Sequence, residues 1–242
     1  MTAASRLDRP TAADFRARHR GGGLFTEAVN QRVGSYLSVL AHRLGLAPTM
    51  LTLANLVLGL GAAAALGWLG PRMAAGEVSS VAVGLGTLLA WQLAYSLDCA
   101  DGQLARVTGT ASPAGGRVDV LCDVALQISL VAAVSTVARA YTPQMPTWLV
   151  AAFAGTWMVN LVTSVLQQGA LAASLVAGTG SALLRVVKLI RDYGAAVTAV
   201  GLVLAFAPQW TVWLMGSFAL VNGGYLAASI TASARASLAG RQ

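Results

Sequence analysis

Long apolar runs broken by short polar punctuation dominate the chain from residue 50 onward. A membrane-spanning helix needs about 20 mostly apolar residues, within a range of roughly 17 to 25. Six stretches qualify: about Met50 to Leu69, Val78 to Leu97, Val118 to Val137, Trp148 to Leu166, Tyr193 to Ala207 and Val212 to Ile230. The fifth has the shortest clean apolar part, with Arg191 and Asp192 crowding its start, and snorkelling of long side chains can lengthen such a span. "GPR", "YTPQMP" and "APQW" supply turn residues at three of the ends. Ahead of the first span the period changes. In "TEAVNQRVGSYLSVLAHRLG", Val29, Val33, Tyr36, Leu37, Leu40 and Leu44 share one helical face, which predicts an amphipathic helix lying along the membrane interface. The expected organisation is a mobile basic segment over 1–25, the interfacial helix over 26–45, and an all-α domain of six transmembrane helices over 46–242.

Composition agrees with a bilayer environment. Hydrophobic residues make up 56% of the 242 positions and charged residues 10%, against roughly 25% charged in soluble domains. The net charge of +7 raises the question of nucleic acid, but the placement of the sixteen basic residues answers it. Fourteen fall before the first span, in the second-to-third and fourth-to-fifth loops, and in the tail, whereas the remaining loops hold only Arg72 and Arg139. By the positive-inside bias both termini are cytoplasmic, and no nucleic-acid partner is implied. The N-terminal arginines also favour anionic lipid headgroups. The first 20 residues lack an apolar core before a cleavage site, so no removable signal peptide is expected. Two cysteines, Cys99 and Cys122, make no disulfide framework and are expected as small packing residues.

Four of the nine carboxylates lie in "DCADGQLARVTGTASPAGGRVDVLCD", Asp98 to Asp123. Asp98 and Asp101 stand three apart near the cytoplasmic end of the second span, and Gly102 and Ala105 continue their stripe. Ser112 suits an N-cap and Pro113 the first helical position, so the third helix is expected to begin near residue 113. Gly115, Asp119 and Asp123 then share one face of it. Helices joined by a short loop are antiparallel neighbours, and the two stripes can meet. Four converging carboxylates repel one another unless cations neutralise them. All-oxygen ligands point to Mg²⁺ or Mn²⁺. Four acids exceed what one Mg²⁺ takes from protein, which suggests the paired ions that serve phosphoryl displacement. The small residues leave room for something bulky and flat, and Arg106 offers a delocalised charge for a phosphate.

The pattern DxxDGxxAR, eight residues, then GxxxDxxxD, met at Asp98, Asp101, Gly102, Ala105, Arg106, Gly115, Asp119 and Asp123, resembles the signature of the CDP-alcohol phosphotransferases. "PTMLT" at Pro48 to Thr52 resembles the usual start of that family's first span, with Thr49 where Asn is common. The resemblance implies an integral-membrane enzyme of phospholipid biosynthesis. It would move a phosphatidyl or other substituted phosphate group from a CDP-linked alcohol to a hydroxyl acceptor, releasing CMP. It also implies that Asp98, Asp101 and Asp119 hold two divalent ions. Asp123 would touch metal and act as the base, Gly102, Ala105 and Gly115 would line the cytidine pocket, and Arg106 would face the donor's phosphates. Relatives look dimeric, and Gly- and Ala-rich spans pack readily, so a homodimer in the cell membrane is expected, with its active site cytoplasmic.

An amphipathic helix beside a site at the lipid edge suits CDP-diacylglycerol as donor, with a soluble CDP-alcohol as the alternative. The acceptor stays open among glycerol phosphate, serine, inositol phosphate and related polyols. "SPAG" lacks the aromatic residue that often precedes the motif glycine in bacterial phosphatidylglycerophosphate and phosphatidylserine synthases. A cation- or proton-coupled transporter would also use acids within spans, but it gives no reason for Gly102, Ala105 and Arg106 at fixed offsets. Arg185, Lys188 and Arg191 either receive an acceptor phosphate or lipid headgroup or only set topology. Asn160, Gln167 and Gln168 either orient a polar acceptor or bond between helices. His19 and His42 are assigned no chemistry.

Overall fold

The computed structural model describes residues 10–19, 21–166 and 189–239, and the regular structure among them is helical. Three short elements come first: α1 (Ala12–Ala17), α2 (Leu24–Ala28) and α3 (Asn30–Arg43). The long helices follow as α4 (Pro48–Ala74), α5 (Ser80–Thr108), α6 (Pro113–Tyr141) and α7 (Thr147–Leu166). The described chain ends with α8 (Tyr193–Phe206), a 3₁₀ turn at Pro208–Trp210 and α9 (Thr211–Ala239).

Local chemistry sets the ends that matter for the site. Ser79 Oγ accepts the Ala82 N–H at 3.3 Å and opens α5, which stops at Gly109 in the left-handed region, φ +70°. Four residues later α6 begins as expected: Ser112 Oγ accepts the Gly115 N–H at 3.1 Å, and Pro113, with no N–H to satisfy, takes the first position. The α5–α6 connection is therefore tight, and α4 packs against both helices.

The protein is a multi-pass membrane protein. Pro48–Ala74, Ser80–Thr108, Pro113–Tyr141 and Pro208–Thr231 are long and apolar enough to cross a bilayer, and Thr147–Val159 and Tyr193–Phe206 are apolar but shorter. Six spans were expected, and among the described residues four are this long. In α8 the reason is local. The Asp192 carboxylate accepts the Gly194 N–H at 3.1 Å and starts the helix there. Its 14 residues then rise about 21 Å, against a hydrocarbon thickness of about 30 Å. Leu53, Val57, Trp68, Leu89, Leu121, Ile128, Trp213 and Leu220 are exposed on the outside of the bundle, as lipid-facing positions are.

Helix α5 is central, packing against α3, α4 and α8, while α4 also packs on α6 and α7 on α9. Leu66, Trp91, Leu130, Val134, Val137, Phe153, Trp157, Val197, Leu204 and Met215 fill the main core. Close approach of α5 and α8 depends on Gly84, where a Cβ would lie 2.3 Å from the Ala205 backbone nitrogen.

Helix α3 is amphipathic, but its polar side is the one that packs. Asn30, Gln31, Gly34, Ser35, Ser38 and Ala41 are buried, whereas Tyr36, Leu40 and Leu44 are 69%, 54% and 63% exposed. Ser38 Oγ donates to the Ala100 carbonyl at 2.9 Å, Gln103 Nε2 to Gln31 Oε1 at 2.7 Å, and Asn30 Nδ2 to Gln92 Oε1 at 2.7 Å. Small polar residues are the usual means by which helices associate where no hydrophobic force separates protein from solvent. The segment expected to be mobile holds α1, whose Phe15 is fully buried against Ala41, Leu51, Ala100 and Leu104.

Candidate active site

Asp98 and Asp101 of α5 and Asp119 and Asp123 of α6 lie about two to three turns from the helix ends that face the connecting loop. Three of the four converge. Asp98, Asp119 and Asp123, each partly buried, offer one carboxylate oxygen apiece within 4.8 Å of one another. Asp101 stands outside that set. It is 5% exposed, and its Oδ2 accepts the hydroxyl of Thr52 on α4. Asn55, one turn further along α4, donates from Nδ2 to Asp98 Oδ1 at 3.4 Å. Helix α4 thus reaches two of the four acids. Thr52 lies inside the "PTMLT" stretch, but Asn55 was not singled out in the sequence. The available signal was two polar side chains three apart in an otherwise apolar span.

The electrostatics call for cations. Two unit charges no more than 4.8 Å apart repel by at least roughly 3 kcal/mol at an effective dielectric of about 20, and three ionised carboxylates make three such pairs. Asp119 Oδ1 is moreover buried without a hydrogen-bond partner among those residues, which is an expensive state for a carboxylate oxygen unless something else binds it. Hard oxygen donors, mutual repulsion and one orphaned oxygen fit a divalent ion of the Mg²⁺ or Mn²⁺ type.

The remaining motif residues are all partly exposed. A Cβ on Gly102 would lie 2.8 Å from Arg106 Nη1 and 3.1 Å from Nη2, so the guanidinium rests over the glycine. Arg106 Nε donates to the Arg18 backbone carbonyl. At Gly115 only Ser112 Oγ lies near where a Cβ would be, at 3.3 Å. Toward the core, Asn55, Trp91, Tyr95, Asp98, Asp123 and Tyr193 line a cavity of about 10 Å³, roughly room for one water.

Other candidates separate clearly. Cys99 and Cys122 are buried free thiols. The His19 ring nitrogen Nδ1 lies 2.7 Å from the Arg16 carbonyl, and the His42 ring packs near Phe15. Arg191 is engaged inside the bundle, donating from Nη1 to Asn222 Oδ1 at 3.1 Å and lying 3.6 Å above the centre of the Tyr225 ring. Gln167, Gln168, Arg185 and Lys188, and the side chain of Asn160, fall outside the described residues.

A model of the CDP-alcohol phosphatidyltransferase family matches residues 45–229, about three quarters of the chain, and the chain belongs to that family. No curated protein matches it significantly. Membership makes it a phosphotransferase for substituted phosphate groups, acting in the membrane with a CDP-alcohol donor and a hydroxyl acceptor. The family is generally dependent on divalent metal, and the acid cluster lies within the matched residues.

Proposed function

We propose that the protein transfers a phosphatidyl group from CDP-diacylglycerol to a small hydroxyl acceptor, with release of CMP, at the cytoplasmic face of the cell membrane. The observation that carries this reading is the convergence of Asp98, Asp119 and Asp123 within 4.8 Å, with an orphaned Asp119 oxygen, at the motif positions of a CDP-alcohol family. Asp98, Asp101 and Asp119 would hold two Mg²⁺ ions, with Asp123 touching the same pair. When bound, the ions offset charge on the donor's diphosphate and on the departing CMP.

The chain's own residues divide the remaining work. Ala105 and Gly115, lacking bulk, admit the cytidine, and Gly102 leaves room for the Arg106 guanidinium beside it. Arg106 meets the phosphates with a planar, permanently charged group. Asp123, which lines the small cavity, takes the proton of the acceptor hydroxyl. The acceptor oxygen then bonds to the phosphorus nearer the alcohol, and the bond to the bridging oxygen breaks, so CMP leaves with that electron pair. The fixed Thr52–Asp101 hydrogen bond keeps one acid in place without reorganisation during the reaction.

The distribution of arginines supports a cytoplasmic site. The exposed apolar face of α3 supports an interfacial helix over 26–45 ahead of a catalytic domain over 46–242 that crosses the membrane six times, α7 and α8 included. Small residues on the spans support a homodimer.

The test is a panel of acceptors (glycerol phosphate, serine, inositol phosphate and related polyols) with labelled CDP-diacylglycerol and Mg²⁺, scoring CMP and lipid product. Product from one acceptor, lost on chelation, is the expected result. Turnover with soluble CDP-alcohols alone would replace the donor. Undiminished turnover after exhaustive chelation would overturn the metal site.

A further inference from the structure

The residues before the interfacial helix are tied to the motif helix at three heights. Thr11 starts α1, its backbone N–H and its hydroxyl both donating to Asp14 Oδ2, at 2.8 and 2.7 Å. That helix drives Phe15 into a pocket where the ring is 0% exposed, against Ala100 and Leu104 of α5 as well as Ala41 and Leu51. Just beyond α1, the Arg18 carbonyl accepts from Arg106 Nε. The chain then turns through Gly21 and Gly22, φ +60° and +148°. The Gly21 carbonyl accepts from Gln31 Nε2 at 3.4 Å, and Gln31 Oε1 accepts from the fully buried Gln103 at 2.7 Å. Gln103 and Arg106 are three apart on α5 and so neighbours on its surface.

We infer that residues 11–19, with Gly21, form a strap belonging to the donor site, in which Phe15 is the anchor and the Arg18 carbonyl orients the Arg106 guanidinium for the donor's diphosphate. This rests on the function proposed above. An arginine side chain loses considerable rotamer freedom when it binds, and its planar fork recognises phosphate best when its orientation is set beforehand. The Arg18 carbonyl engages Nε, and with Nε fixed, the plane carrying Nη1 and Nη2 is fixed over Gly102. A side chain ordered in advance spends less of the donor's binding energy on ordering at the moment of binding. Phe15 touches no substrate; it is a positioning residue acting through Arg106.

The experiment measures steady-state kinetics of the full chain with CDP-diacylglycerol, Mg²⁺ and the acceptor found in the panel. Phe15→Ala is expected to raise the donor KM about tenfold while kcat and the acceptor KM stay within about twofold. Phe15→Leu, which refills most of the space, should restore most of the donor affinity. Thr11→Ala loosens the cap without touching the core and should raise the donor KM by about threefold, which keeps the test alive if Phe15→Ala does not fold. Introduced into Arg106→Ala, either substitution should add less than about twofold, since the coupling runs through the guanidinium. A fall in kcat without a change in donor KM, or the same added factor with and without Arg106, would overturn the strap while leaving the enzyme reading intact. A full chain that neither releases CMP from any CDP-linked alcohol nor gains thermal stability from CDP with Mg²⁺ would overturn both.

Discussion

The carboxylate of Asp192 and the first turn carrying Thr26, 166 positions apart in sequence, form one cap. Asp192 Oδ2 accepts the backbone N–H groups of Phe25 at 2.7 Å and Thr26 at 3.0 Å, and Oδ1 accepts the Thr26 hydroxyl. The same carboxylate caps α8 through Gly194. One 3%-exposed acid therefore satisfies the orphan amides of two helices and fixes the entry to the interfacial helix against the bundle. The Thr26 hydroxyl lies 3.3 Å from that of Tyr95, whose ring meets Tyr193 edge-on, so this joint borders the wall of the small cavity beside Asp98 and Asp123.

Removing that carboxylate leaves several buried donors without partners. Asp192→Ala should cost about 3 kcal/mol or more, from the loss of two caps and of charge-assisted bonds to the amides. Asp192→Asn keeps one carbonyl oxygen and should cost less than half as much. Thermal unfolding in detergent, followed by loss of monodisperse protein, measures both. Equal melting temperatures for wild type and Asp192→Ala would show that the joint carries no stability.

The bond from Thr52 to Asp101 makes a second, sharper prediction. A hydroxyl that orients a metal-binding carboxylate typically contributes roughly 10- to 100-fold in metal affinity or activity. Thr52→Val keeps the shape and deletes the donor, so the Mg²⁺ concentration for half-maximal CMP release should rise by about tenfold or more. Thr52→Ser should recover most of the loss. If Val and Ser behave alike, the hydroxyl is not what matters there.

The convergence of Asp98, Asp119 and Asp123 was legible in the sequence because its determinants are local. The stripe of acids and small residues depends on helical periodicity, and the Ser112–Pro113 start of α6 depends on capping chemistry within four residues. Asn55 and Asp192 were not legible, because what they do depends on partners brought in from other helices. The interfacial helix shows the difference within one element. Its apolar face could be read from the spacing of Val33, Tyr36 and Leu40, yet nothing in that spacing says that Gly34 and Ser38 would be the face laid on α5. A Cβ at Gly34 would lie 3.0 Å from the Ser96 carbonyl oxygen, a constraint that exists only once the helices have met. Phe15 was hidden for the same reason: a lone aromatic in a basic segment reveals its pocket only when α3, α4 and α5 have assembled it.

Close packing of α5 on α8 predicts an asymmetric response to adding one methyl group. At Gly84 the new Cβ would lie 2.3 Å from the Ala205 nitrogen and 2.5 Å from its Cα, so the backbones must separate. Gly84→Ala should destabilise by about 2 kcal/mol, within the range for overpacking, despite alanine's higher helix propensity. At Gly61 nothing lies within 4 Å, and Gly61→Ala should be neutral or slightly stabilising. Paired melting curves decide between this and a propensity effect alone, under which both substitutions would stabilise.

The exposed face of α3 carries the last prediction. Tyr36 and Leu40 are 69% and 54% exposed on a helix whose other side is held by buried hydrogen bonds, so the rotation of the helix is set by the bundle, leaving the apolar face to lipid. In water such a face would be an aggregation liability, whereas at an interface it sinks several ångströms below the headgroups. A nitroxide on Tyr36→Cys in vesicles should be more accessible to oxygen, which concentrates in lipid, than to a water-soluble nickel complex. A label on Thr110→Cys, in the exposed α5–α6 connection, should show the reverse. Replacing Tyr36 and Leu40 together with serine should leave the melting temperature in detergent within about 2 °C, because neither is buried in the protein. It should also lower activity on vesicle-borne donor by several-fold more than activity on a short-chain, detergent-dispersed donor. Equal losses on the two donors would mean that the face packs against protein rather than lipid.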